Sequence, residues 1–260
     1  EDMVKRIRNH ASIGIYVGRN EGYPPKVLDD GLRNLVDDKH PGMFYISHSA
    51  ADYVSGEGPY RALDEVEYFK SYGHDKFHSE RGMPNVMTYE SMLMAMGEDV
   101  EPFSAASHPN QVYGIHDYAL GGAPGPSGEG SSAQSAESFN NIIRKMFREP
   151  SSAEEFASWA QWVNYNGYRA MFEGRSEHRR GLLLWMSHPC WPSMVWQTYD
   201  YYLDPTAAYF GCKKANEPES HGCVFRLPQG LRAPAYPVQC LTKGCRGGQL
   251  PCPGPEGPEG

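Results

Sequence analysis

The sequence predicts an α/β fold built on parallel strands. Short apolar, strand-like runs alternate along the chain with segments that place apolar residues three and four positions apart, which is typical of helices. The strand-like runs end at glycines or polar residues, and alternation of this kind favours a parallel sheet covered by helices. The predicted strands are residues 12–17, 43–47, 58–61, 77–80 and 182–186.

Three helices are predicted between these strands. Residues 25–36 carry Leu28, Leu32 and Leu35 at spacings of four and three, and residues 86–96 form a second, methionine-rich segment. The third helix opens at the capping box Ser152-x-x-Glu155 and runs to about residue 172.

Two regions depart from this alternation. Residues 119–138 are mostly Gly, Ser, Ala and Pro, and we expect a flexible insertion there. Residues 218–260 show neither periodicity, so we expect an irregular tail rich in Gly, Pro and Cys and assign it no function. Residues 1–217 are therefore predicted to form the folded domain.

Composition restricts the classes of partner. The formal net charge of −8 and the lack of a basic cluster argue against nucleic acid. The most apolar stretch, residues 182–186, is far shorter than the roughly 18 residues of a membrane helix, so we expect no membrane partner. No signal peptide is visible, but the chain begins with Glu1 rather than Met, which leaves a periplasmic or secreted location open.

Metal and cofactor sites are not predicted. Four of the six cysteines lie in the final 38 residues, and the closest spacing, Cys240-x4-Cys245 with His221 nearby, does not match the close cysteine pairs of zinc sites. Glycine-rich nucleotide motifs are absent from the sequence as well.

Two glutamates stand where strand-like runs meet glycines. Glu21 follows the run 12–17 and precedes Gly22, and Glu80 ends the run 77–80 and stands two residues before Gly82. Two carboxylates brought together by a fold are the minimum equipment for cleaving a glycosidic bond. The alternative is that both are exposed glutamates in surface ion pairs, which is the usual environment of this residue.

The segments around these glutamates resemble the catalytic barrel of the family 2 glycoside hydrolases. The resemblance rests on Arg8-Asn9-His10 with Ser12-Ile13, on Asn20-Glu21 and on Ser79-Glu80-x-Gly82. The stretch 181–218 adds Trp-Met, Trp-Gln, Asp-x-Tyr, Ala-Tyr-Phe-Gly and Lys-Lys-Ala-x-Glu-Pro elements. These elements, with Gly58-Pro59-Tyr60, are similar to the exo-β-glucosaminidase and β-mannosidase branch in particular.

The resemblance implies an incomplete (β/α)8 TIM barrel. Residues 1–217 would supply about strands four to eight, whereas strands one to three and the N-terminal domains of the parent chain would be missing. The implied activity is that of a retaining exo-β-glycosidase acting on terminal β-mannosides or β-glucosaminides of an oligosaccharide or glycoside, with Glu80 as nucleophile and Glu21 as general acid/base. A β-galactosidase specificity, or an inactive or carbohydrate-binding remnant, are the alternatives.

The resemblance also implies substrate-binding residues. Asn20 would donate to the sugar 2-substituent, and Trp185 would form a platform under the ring, but a turn residue and a core tryptophan are the competing interpretations. The further candidates are Tyr60, His78, Trp191 and Trp196. The two roles require different pKa values, so we expect a hydrogen bond or a cation such as Arg81 to lower the pKa of Glu80 and the neighbouring charge to raise that of Glu21.

Overall fold

The computed structural model describes residues 1–56, 60, 62–71, 76–101, 116, 136–174 and 181–217, together with two short strands in the tail. The described helices are α1 Asp2–Ile7, α2 Lys26–Lys39, α3 Glu65–Ser71, α4 Tyr89–Met96, α5 Ala136–Met146, α6 Ala153–Glu173 and α7 Ala207–Ala215. The described strands are β1 Ile15–Val17, β2 Phe44–Ile46, β3 Val54–Ser55, β4 Phe77–Arg81, β5 Gly181–Leu184, β6 Cys223–Val224 and β7 Gln239–Cys240.

The first five strands pair in parallel, as the sequence predicted. β1 pairs with β2, and β3, β4 and β5 form a second sheet in chain order. Parallel strands place their carboxyl ends at the same edge, so the residues that follow β1 and those at the end of β4 share one side of the fold. β6 and β7 form a short antiparallel pair, so the tail is not wholly irregular.

Four predicted strands overlap β1, β2, β4 and β5, but the prediction for residues 58–61 is wrong where the structure describes it. Tyr60 lies outside any strand, and residues 57–59 and 61 lie outside the described residues. The third parallel strand is β3 at Val54, whose side chain is buried. The nearby Pro59 has no N–H to donate to a ladder, which explains why the strand stands earlier in the chain.

The predicted helices are found with shifted ends. α4 starts at Tyr89 rather than at residue 86, because Thr88 caps it: the N–H of Ser91 donates to Thr88 Oγ1 over 3.3 Å. Ser152 caps α6 in the same way. α5 begins inside the insertion that we expected at residues 119–138. The last residues of this insertion, 136–138, are therefore helical, and residues 119–135 lie outside the described part. Helices α1, α3, α5 and α7 were not predicted.

Helix α6 holds the chain that leaves β4. Asn164 Nδ2 donates to the carbonyl oxygen of Pro84 over 2.6 Å, and Tyr168 Oη donates to that of Met83 over 3.1 Å. The side chains of Asn164, Tyr168 and Met83 are buried in or beside the main apolar core, where such hydrogen bonds are needed to offset lost hydration. The carboxyl end of β4 is thereby fixed on the largest helix.

The ends of β4 and β5 approach each other closely. The N–H of Trp185 donates to the carbonyl oxygen of Arg81 over 2.9 Å, and a Cβ on Gly82 would lie 2.1 Å from the carbonyl oxygen of Trp185. The peptide between Trp185 and Met186 is cis. Among the described residues, none of the helices combines the length and apolarity that crossing a bilayer requires.

Candidate active site

Glu21 and Glu80 meet at the carboxyl edge of the strands. Glu21 follows β1 in the left-handed backbone region, with φ of 47°, and its side chain is exposed. Glu80 lies in β4 and is 8% exposed. The two carboxyl groups interact, because the charge of Glu21 and hydrogen bonding to Glu21 both raise the pKa of Glu80.

The pKa of Glu80 is raised above its usual value. Burial is the largest cause, and the hydrogen bond and charge of Glu21 raise it further, whereas the hydrogen bond from Tyr60 lowers it. The expectation that Arg81 would hold this pKa low is therefore wrong. Glu80 and Arg81 are both buried, at an irregularity of β4 where its register with β5 shifts.

Tyr60 donates a hydrogen bond to Glu80 from its phenol group. Burial, followed by the charge of Glu80, raises the pKa of Tyr60, so the phenol keeps its proton and acts as a donor. Trp196 supports this tyrosine: its Nε1–H donates to the carbonyl oxygen of Tyr60 over 3.1 Å, and the two rings lie 5.2 Å apart. Because Trp196 is itself buried, these two contacts fix the position of Tyr60.

Ser49 connects the two carboxylate-bearing segments. Its Oγ accepts a hydrogen bond from the N–H of Glu21 over 2.9 Å and lies 3.3 Å from Asn20 Oδ1, to which it donates. Its carbonyl oxygen accepts from Ser79 Oγ over 2.9 Å, and Ser79 precedes Glu80 in β4. A Cβ on Gly56 would lie 2.3 Å from the same carbonyl oxygen, so the end of β3 closes around this contact.

A polar network beside β1 holds the chain segment that leads from β1 to Glu21. Tyr45 Oη and Ser47 Oγ each donate to the carboxylate of Asp29 over 2.8 Å, and the guanidinium of Arg33 lies 4.9 Å from the centre of the Tyr45 ring. Burial and the Asp29 hydrogen bond raise the pKa of Tyr45 to about 12. A Cβ on Gly18 would lie 2.2 Å from Tyr45 Oη, so only glycine fits where the chain turns toward Glu21.

The other candidate residues differ in their burial. His78 is fully buried in β4, two positions before Glu80. Trp185 and Trp191 are partly exposed, and the Trp191 ring stacks on His116 at 5.3 Å. Asn20 is exposed beside Glu21.

Sequence reasoning missed three residues at this edge. They are Ser49, the buried His48, and the exposed Tyr23, whose ring meets the His48 ring edge-on at 4.4 Å. A signal for two of them existed, because the polar run Ser47-His48-Ser49 comes directly after an apolar strand. In the described part of the chain, no three His, Cys, Asp or Glu side chains gather as metal ligands would.

Comparison with known proteins finds relatives that are named as glycosidases. The chain is 26% identical over 263 residues to a mannosylglycoprotein endo-β-mannosidase of Lilium longiflorum, covering 84% of the chain and 26% of the lily protein. It is 33% identical over 186 residues to an exo-β-D-glucosaminidase of Amycolatopsis orientalis, covering 65% of the chain and 17% of that enzyme. The chain thus spans about a quarter or less of these relatives. No protein-family model matches it.

Solved structures show the same fold. The exo-chitosanase of Amycolatopsis orientalis matches with a TM-score of 0.66 at 21% identity, over 83% of the chain and 26% of that structure. A β-D-mannosidase from Dictyoglomus thermophilum matches with a TM-score of 0.64 at 20% identity, over 86% of the chain and 29% of that structure.

The α/β fold with its paired carboxyl groups, taken with these matches, makes the chain a glycoside hydrolase homologue. The resemblance derived from the motifs is confirmed: the chain is a relative of the family 2 glycoside hydrolases. Its homologues are exo-β-glucosaminidases and β-mannosidases of that family.

Proposed function

We propose that the chain contributes the catalytic residues of a retaining exo-β-glycosidase. The observation that carries this proposal is the hydrogen-bonded pair of Glu21 and Glu80 at the carboxyl edge of parallel strands. β1 to β5 then correspond to strands four to eight of a TIM barrel within residues 1–217. The preceding strands and N-terminal domains would come from the rest of a longer parent chain, which agrees with the fraction of each relative that the chain spans.

The chemistry follows from the different surroundings of the two carboxyl groups. Glu80 attacks the anomeric carbon and forms a glycosyl-enzyme, while Glu21 gives its proton to the leaving oxygen. Glu21 then removes a proton from the water that hydrolyses the intermediate. Glu21 is the exposed member and can reach the leaving group and water, whereas Glu80 is buried and held by Tyr60. The carboxyl groups of a retaining pair act at about 5–5.5 Å from each other, and the interaction of Glu21 with Glu80 supports their assignment as such a pair.

The remaining candidates take supporting roles. Asn20 donates to the sugar 2-substituent, and the partly exposed Trp185 stacks on the sugar ring. His78, buried in β4 two positions before Glu80, contributes polarity to the site. Trp191 is a further stacking surface, whereas Trp196 acts through Tyr60.

The substrate classes come from the relatives. Names of the matched enzymes give β-mannosides and β-glucosaminides as the two candidates. The lily relative is an endo-acting enzyme, so a glycan in which the mannoside is internal belongs in the same assay. A β-galactoside serves as the third sugar.

Trapping of the glycosyl-enzyme tests the proposal. The chain, expressed with any natural flanking sequence, is incubated with 2-deoxy-2-fluoroglycosyl fluorides of manno, gluco and galacto configuration, digested, and analysed by mass spectrometry. We expect the label on the peptide that contains Glu80, with none in Glu80→Gln. A folded protein labelled at another residue, or one that binds sugars without being labelled or turning over aryl glycosides, would contradict the proposal and favour a carbohydrate-binding remnant.

A further inference from the structure

The hydroxyl of Ser49 has a fixed direction. Its oxygen accepts the N–H of Glu21 over 2.9 Å, and its single proton is donated to Asn20 Oδ1 at 3.3 Å. Ser49 is itself buried and held in place, because its N–H donates to the carbonyl oxygen of Arg19 over 3.0 Å and its carbonyl accepts from Ser79. The serine therefore orients the Asn20 side chain and not only its backbone.

The orientation of the amide determines what Asn20 can offer a ligand. A carboxamide has one acceptor oxygen and a donor NH2 group, and here the oxygen points toward the Ser49 hydroxyl. The NH2 group on the same carbon therefore points away from Ser49, and this group donates and does not accept. The NH2 group can donate a hydrogen bond to the oxygen of a hydroxyl, whereas a protonated amine has no lone pair to accept one.

We propose that Ser49, acting through Asn20, selects β-glycosides that carry a hydroxyl at C2 over those that carry an ammonium group. This inference rests on the proposed function, because it needs Asn20 to face C2. Of the two substrate classes that the relatives suggest, it assigns the chain the β-mannosides.

The charge beside Asn20 supports the same choice. An ammonium group in a binding site is stabilised by acceptors and carboxylates. The residue before Asn20 is Arg19, a guanidinium whose Nη1 donates to the carbonyl oxygen of Tyr23 over 2.9 Å and so stays at this edge of the sheet. Glu21, the residue after Asn20, is a carboxyl group that the reaction itself uses.

A matched pair of substrates isolates the effect of the C2 substituent. 4-Nitrophenyl β-glucoside and β-glucosaminide differ only in that group, so we compare their kcat/KM at about pH 6, where an amine of this kind is protonated. We expect the glucoside to be preferred by roughly tenfold or more, the effect of about one hydrogen bond, and the β-mannoside to be turned over as well.

Variants then link the preference to Ser49. Ser49→Ala removes the donor to Asn20, so the ratio should fall toward one, whereas Ser49→Thr keeps a hydroxyl and should keep the ratio. Ser79→Ala is the control, since it removes a hydrogen bond to the Ser49 carbonyl and leaves the Asn20 contact intact. A general loss of packing would lower both rates in all variants without changing the ratio.

The outcomes separate this inference from the proposed function. A preference for the glucosaminide in the unaltered protein, or an unchanged ratio in Ser49→Ala, overturns the inference while labelling of Glu80 still supports the glycosidase. The ratio in the unaltered protein needs no variant, so it tests the inference even where Ser49→Ala does not fold. Absence of both turnover and labelling in a folded protein overturns the proposed function first.

Discussion

The carbonyl oxygen of Trp185 occupies the place of a side chain on Gly82: a Cβ built there would lie 2.1 Å from that oxygen and 3.3 Å from the Cβ of Trp196. The backbone just after β4 therefore touches the backbone just after β5. This contact is the reason for the glycine that follows Ser-Glu-x in the sequence.

Gly82→Ala should destabilise the fold, because backbone atoms cannot move aside as a flexible side chain can. We expect a loss of about 1–3 kcal/mol in the free energy of unfolding, the usual cost of overpacking, measured by urea denaturation. Gly31→Ala in α2 is the matched control, since nothing lies within 4 Å of its Cβ position, and it should stabilise by roughly 0.5–1 kcal/mol. Equal effects would contradict the interpretation of the Gly82 contact.

Removal of each carboxylate should leave a different chemistry for azide to rescue. In Glu80→Ala, azide takes the place of the nucleophile and should yield a glycosyl azide of inverted configuration from an activated aryl β-glycoside. In Glu21→Ala the glycosyl-enzyme still forms, so azide should yield the retained β-azide, and good leaving groups should suffer least. NMR of the products distinguishes the two anomers; anomers swapped between the variants would reverse the assigned roles, and the same anomer from both would contradict them.

Glu80 should make the protein less stable as the pH rises. Its pKa is raised on folding above the usual 4.5, so the folded state holds the proton more tightly than the unfolded state. Stability is therefore lost as the pH rises from about 4.5 through the folded pKa. Glu80→Gln should be more stable than the unaltered protein at about pH 7 and should lose this advantage at about pH 4, as urea midpoints would show.

Glu21→Gln provides the comparison for this pH effect. It removes the neighbouring charge that raises the pKa of Glu80 but leaves the burial, so it should retain part of the pH dependence. An advantage of Glu80→Gln that persists unchanged into acid would show that the titration of Glu80 is not its cause.

Tyr60→Phe should shift the acidic limb of the pH–rate profile upward. The phenol hydrogen bond lowers the pKa of Glu80, so its removal leaves the nucleophile protonated to a higher pH and reduces kcat/KM at neutral pH. Tyr201→Phe, at an exposed tyrosine that packs on Tyr202, should leave the profile in place. A uniform fall in rate with the acidic limb unmoved would mean that Tyr60 acts on the substrate rather than through Glu80.

Gln161 should matter for stability more than a polar side chain on a helix normally does. Its Nε2 donates to the carbonyl oxygen of Val86 over 2.6 Å and its Oε1 accepts from the N–H of Ala207 over 2.9 Å, so it links the chain after β4 to the start of α7. Gln161→Leu leaves both backbone groups without this partner and should cost about 2 kcal/mol. Gln161→Glu keeps the acceptor and should cost less in urea denaturation; a reversed order would contradict the assignment.

Local pattern accounts for much of what the sequence predicted. β1, β4 and the cap of α6 are visible as an apolar run, a run ending at Ser79-Glu80 and a capping box, because each depends on neighbours in the chain. The pairing of the first five strands in parallel follows from their alternation with helices.

Contacts between distant segments account for what was missed. The role of Ser49 depends on the ends of β1 and β4, which lie about 30 residues away on either side, so no window of sequence contains it. The raised pKa of Glu80 arises from burial and from Glu21, whereas the adjacent Arg81 in the sequence suggested the opposite shift. Helix α3 has only seven residues, and so short a segment carries little periodicity to recognise.

The hydrogen bond from Ser79 to Ser49 joins β4 to the segment between β2 and β3, where no backbone ladder pairs the two described sheets. A contact of this kind opens at a lower free energy than a packed core. Heat should therefore uncouple the carboxylates while the secondary structure persists, and the temperature at which the protein stops working should lie below the one at which it melts. The highest temperature at which activity persists would then depend on the hydrogen bond between Ser79 and Ser49.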